Sequence, residues 1–113
     1  MNTNRITVTL KDLGIPANLL GYHYLRYGIE LMMDDMSYMN GIVKKLYPKI
    51  AEKYETTPHR VERAMRHAIE TGWEKGSPHL TDRIFGYSVK DGDNPTNSEF
   101  ICTVADYLKV GEG

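Results

Sequence analysis

The residues with the most chemistry to offer lie in one stretch, TPHRVERAMRHAIETGW (Thr57–Trp73). It carries Arg60, Glu62, Arg63, Arg66 and His67. An arginine presents two parallel donors that match guanine O6 and N7, and a glutamate accepts from cytosine N4. The adjacent pair Glu62 and Arg63 therefore has the groups to read neighbouring G·C pairs of either polarity. No nucleophile paired with a base and no phosphate-cradling glycine loop accompanies them, which argues against an enzyme. His59 and His67 are eight residues apart with no third ligand in spacing, and Asp91 and Asp93 lack the other ligands of a calcium loop, so no metal site is expected.

Such side chains need a scaffold. On a helical wheel Val61, Ala64, Met65, Ala68, Ile69 and Gly72 share one apolar arc, and Arg63 lies near the centre of the opposite, charged side. Thr57 suits an N-cap and Pro58 a first helical residue. Upstream, Lys49 to Tyr54 is short and amphipathic, with Ile50, Ala51 and Tyr54 inward. A small residue, Ala51, ten positions before a β-branched one, Val61, is what two steeply crossing helices require. The spacing predicts a helix-turn-helix over about 48–75, whose second helix enters the major groove. Lys44, Lys45, Lys49 and Lys53 would then be sequence-blind phosphate contacts. One residue disagrees: Glu55 stands in the turn where Gly or Asn more easily adopts a left-handed conformation. On spacing alone the reading stays open between DNA binding and a solvated basic surface.

The remaining elements are read more briefly. Residues 5–13 fit a helix or a strand equally. Ala17 to Met36 follows helical spacing, and Met39 to Tyr47 continues it up to Pro48. The charged helix is expected to run to about Lys75, where Gly76, Ser77 and Pro78 stop it. A short helix covers Leu80 to Phe85, KDGDNP is a loop, and Thr96 with Glu99 forms a capping box that opens a helix over Asn97 to Leu108. Trp73 is expected as a core anchor and Cys102 as a small buried apolar residue. The sum is an all-α fold, a compact bundle of about six helices.

The chain has 113 residues, a length for one domain. Its net charge of −1 argues against indiscriminate nucleic-acid binding. The distribution is polarised, however. From Gly41 to His67 seven Lys/Arg stand against three acids, and from Asp82 to Gly113 six acids stand against three bases. The single cysteine excludes an intrachain disulfide and a cysteine metal cage. No apolar run approaches membrane-spanning length and no secretory signal opens the chain, so a cytoplasmic protein without a membrane partner is expected.

Several blocks in order, GIPANLLGYHYLRYGIELM, LYPKIAEKYETTPHRVERAMRHAIE, IFGYSV and PTNSEFICTVADYL, resemble the C-terminal effector domains of the stage zero sporulation protein A family, response-regulator transcription factors of endospore-forming bacteria. The resemblance implies about six helices, a helical N-terminal segment, no cofactor, and binding to short G·C-containing DNA boxes in control of transcription. It carries base reading to Arg60, Glu62 and Arg63, and contact near the DNA backbone to Arg66 and His67. His59 stands where the family commonly has Ser and is grouped with the backbone contacts. The resemblance further implies head-to-tail pairing of copies on tandem boxes, and a sigma-factor surface after the charged helix, where KGSPHLTDR departs from the usual family segment. No receiver domain is present in residues 1–113, which are expected to form a single effector domain. The alternative is a stand-alone helical interaction protein that pairs with and modulates a full-length relative.

Overall fold

The computed structural model describes residues 2–76, 78–86 and 93–112. Its centre is α2 (Leu20–Asp34), which packs chiefly on α4 (Pro58–Trp73) and α6 (Asn97–Glu112) and also on α1 (Asn2–Asp12). Gly21, Leu25, Gly28 and Met32 form one buried row on α2, with Tyr22, Ile29 and Met33 beside it. A helix buried over so wide an arc belongs in the middle of a bundle. Between α2 and α4 come a 3-10 turn (Met36–Asn40), a π turn (Ile42–Leu46) and α3 (Tyr47–Lys53), and α5 (Pro78–Phe85) lies before α6. Among the described residues there is no strand, and the architecture is all-α. No described helix is long and apolar enough to cross a membrane.

Residues 2–12 are helical, which resolves the ambiguity of the N-terminal segment. Ile6 and Leu10 are fully buried from it, and Leu13 follows at 1% exposure. The chain then turns at Gly14, whose φ of +85° is one that L side chains rarely adopt. A Cβ there would also lie 2.7 Å from the Gly72 carbonyl oxygen, so the turn is pressed against the end of α4.

Between α2 and α3 the sequence expectation of near-continuous helix is corrected. Asp35 takes an extended conformation, φ −149° and ψ 96°, and its carboxylate accepts from the Ser37 amide at 3.0 Å. Hydrogen bonds from Ser37 hold the Asp35 carboxyl below its ordinary range. Such a local side-chain bond competes with the helical ladder and ends it. The Gly41 carbonyl then accepts from both Lys45 and Leu46, at 2.8 and 2.9 Å, which widens the next turn into a π turn.

The start of α6 follows its sequence signal. The Thr96 amide donates to Glu99 Oε1 at 2.9 Å, and the Glu99 amide donates to Thr96 Oγ1 at 3.1 Å, a complete capping box. The helix runs on to Glu112, one turn past the expected Leu108. Trp73 meets Phe85 edge-on at 5.0 Å between centroids, and Phe85 lies 5.7 Å from Phe100, so aromatic contacts join the ends of α4 and α5 to α6. Cys102 is half-buried rather than buried, and burial pushes its thiol pKa up. Of the expected KDGDNP loop, residues 90–92 lie outside the described residues, as does Ser77 of the expected helix stop.

Candidate nucleic-acid interface

The helix-turn-helix is α3, a turn over 54–57, and α4. Ile50, Ala51 and Val61 are buried where the two helices meet, as their spacing requires. The turn is a Schellman arrangement. The Thr56 amide donates to the Ala51 carbonyl at 3.0 Å and the Glu55 amide to the Glu52 carbonyl at 3.4 Å. Glu55 between them has φ +53°, the left-handed conformation that its side chain disfavours. The misfit visible in the sequence is therefore real strain, held in place by the helices on either side.

Thr57 caps α4: its Oγ1 accepts from the Arg60 amide at 3.2 Å, and Pro58 occupies the first turn. Val61, Met65 and Ala68 are fully buried, with Ile69 at 1%. Gly21 of α2 lets the backbones touch, because a Cβ there would collide with the Ala64 carbonyl. α4 is thus pinned by its apolar face, and its other face is turned to solvent.

On that outer face His59, Arg60, Arg63, Arg66 and His67 are all exposed. Arg63 lies opposite the buried row, with Arg60 and His67 beside it. Glu62 lies on the flank. Its side chain is 31% exposed, and its Oε1 stands 3.4 Å from Arg66 Nη2. The six α4 residues singled out in the sequence thus divide into an outward group and the Glu62–Arg66 pair on one edge.

The four lysines are also exposed, Lys44 and Lys45 on the π turn and Lys49 and Lys53 on α3. They are not equivalent. Lys45 and Lys49 line a groove that also holds Asp35 and Glu52. Lys53 Nζ lies 4.8 Å above the Tyr27 ring and 5.9 Å from that of Tyr54, a cation–π arrangement. Tyr54 in turn receives Tyr24 and Tyr27 edge-on at 5.2 and 6.1 Å.

One residue outside the sequence-predicted set reaches this unit from behind. Asn97, the first residue of α6, is 7% exposed. Its Nδ2 donates to the Glu62 main-chain carbonyl at 2.9 Å and to Tyr47 Oη at 3.2 Å. Tyr47 is itself 6% exposed, and burial pushes its phenol pKa up while the bond from Asn97 opposes the shift. The only sequence signal was a polar residue just after a capping Thr, and its partners lie far away in the chain. An open groove of about 360 Å³ between α4 and the start of α6 is lined by Glu62, Arg66, Glu70 and the 94–98 segment. Among the described residues no group of His, Cys, Asp or Glu is arranged to hold a metal ion.

Two packed helices joined by a tight turn, the second with an outward guanidinium face, have the construction of a duplex-binding unit. The family model described as sporulation initiation factor Spo0A C terminal matches residues 6–108. That family consists of DNA-binding transcription-factor domains and not of enzymes. With nearly the whole length matched, the chain belongs to the family of the sporulation initiation factor Spo0A C-terminal domain.

Proposed function

We propose that this domain acts as one effector unit that binds short G·C-containing boxes in double-stranded DNA and regulates transcription of the sporulation type. The observation that carries the reading is the exposed face of α4, with Arg63 opposite a fully buried apolar row on a capped helix. In this reading α4 enters the major groove, and Arg60, Glu62 and Arg63 read base edges. His59, Arg66, His67, Lys44, Lys45, Lys49 and Lys53 contact the sugar–phosphate backbone. One recognition helix makes a small interface, and a second copy on an adjacent box adds affinity through proximity. Sigma-factor contact belongs to the segment after α4, where α5 exposes His79, Asp82 and Arg83.

The test is a mobility-shift titration at two salt concentrations, with a duplex carrying tandem G·C-containing boxes and a scrambled control. The reading expects tighter binding to the box duplex, and weakening of both as salt rises. Equal affinity for the two duplexes would remove sequence reading. No binding to either, with capture of a full-length relative that survives Arg63→Ala, would replace the DNA reading with an interaction role.

A further inference from the structure

We propose that Asn97 is a positioning residue for DNA reading: its amide sets the rotation of α4 about its own axis and so aims Arg63. The inference rests on the DNA-binding function proposed above and assigns the side chain that makes that site selective. The amide spends both of its hydrogens on the helix-turn-helix, one on the phenol at the start of α3 and one on a main-chain carbonyl of α4. That carbonyl belongs to Glu62, the neighbour of Arg63.

The anchor behind the amide is firm. The capping box fixes the first turn of α6, and Phe100, Ile101 and Val104 are fully buried from the same helix. A rigid element therefore reaches across to α4 with a directional bond. The apolar face of α4 resists its removal from the core, but rows of Val, Met and Ala give less resistance to rolling. A hydrogen bond on the flank of the helix opposes roll directly. A roll of about 20° moves a side-chain head about 6 Å from the axis by about 2 Å. Base-edge contacts do not survive such a displacement, because a functional constellation has to be held within about 0.5 Å. Contacts to phosphate by long, flexible cations tolerate it far better. The amide therefore governs discrimination between sequences more than affinity for DNA in general.

The experiment compares wild type with Asn97→Asp. The carboxylate keeps the shape of the side chain, suits a helix N-terminus and accepts from the Tyr47 hydroxyl in a bond of reversed direction, but it cannot donate to the Glu62 carbonyl. Circular dichroism checks that the variant is folded, and titrations with box and scrambled duplexes give the two affinities. The expected result is a scrambled affinity within about twofold of wild type and a box-to-scrambled ratio lowered by about tenfold. Asn97→Ser, too short to span the gap, gives the same readout if the aspartate variant does not fold. An unchanged ratio in a folded variant overturns the proposal. So does a parallel fall of both affinities with the folded fraction, which is what a merely structural role produces. A wild-type protein that does not discriminate would instead sink the DNA reading, so the two failures are separable.

Discussion

Arg66 Nη2 and Glu62 Oε1 stand 3.4 Å apart, one helical turn from each other on the flank of α4. The pair couples a residue proposed to read bases with one proposed to touch phosphate. While Glu62 holds Arg66, the arginine is less free to follow a phosphate, and the carboxylate itself repels the duplex. Glu62→Gln is expected to raise affinity for scrambled DNA and to steepen its salt dependence by up to about one counterion. The ratio of box to scrambled affinity should fall, since cytosine N4 loses its charged acceptor. Titrations across a salt series measure both quantities.

Arg63 has the opposite profile: it is exposed on the side of α4 away from the core, and among the described residues it forms no ion pair. Arg63→Ala is expected to weaken box binding by about 1–3 kcal/mol and to relax preference at a single base pair. A set of duplexes with each box position varied in turn identifies that pair. Equal losses on every duplex would show that Arg63 contacts the backbone instead.

Lys49 and Lys53 sit one turn apart on α3 but are expected to behave differently. Lys49→Ala should weaken binding to all sequences alike and lower the salt slope by about one. Lys53 spends its charge partly on the rings of Tyr27 and Tyr54. Lys53→Ala should therefore also lower fold stability, by about 0.5–1 kcal/mol, through the lost cation–π contact. Thermal melts of the two variants without DNA separate the effects.

The turn before α4 stores strain and the cap after it relieves some of the cost. Glu55→Gly is expected to stabilise the fold by about 1 kcal/mol, because glycine accepts a φ of +53° without a Cβ clash. Thr57→Ala is expected to destabilise by about 1 kcal/mol through loss of the bond to the Arg60 amide. Urea unfolding of both variants checks the opposite signs.

Tyr47 gives the fold a dependence on alkaline pH. Its phenol pKa is raised above 10.0 in the folded state, chiefly by burial. The unfolded chain ionises first, so the contribution is fully present below pH 10.0 and is lost as pH rises through the folded pKa. Unfolding measured at about pH 9 and about pH 11 should show a smaller decline for Tyr47→Phe than for wild type.

Much of this was legible in the sequence because the signals are local. Thr57, Pro58 and the apolar row from Val61 to Gly72 specify α4 within its own length, and Thr96 with Glu99 specifies the start of α6. The same locality explains the flagged turn, where Glu55 was a visible misfit and proved to occupy the left-handed region. The stretch from Asp35 to Leu46 was less legible. Its apolar residues keep helical spacing, but the bond from the Ser37 amide to the Asp35 carboxylate and the doubly used Gly41 carbonyl break the ladder. The last helix was expected to end at Leu108, yet α6 continues through Gly111 to Glu112. Asn97 was illegible as a site residue because its acceptors, a main-chain oxygen and a phenol, are brought to it by the packing of α3 and α4.

The contact between Gly21 and the Ala64 carbonyl, together with the glycine turn pressed on Gly72, fixes how deep α4 sits at either half of its length, and the Asn97 bond is proposed to fix its roll. A reading head mounted so stiffly cannot adapt its pose to an imperfect target. Any mismatch in curvature has to be absorbed by the nucleic acid, so base pairs that the protein never touches acquire influence through how easily they bend.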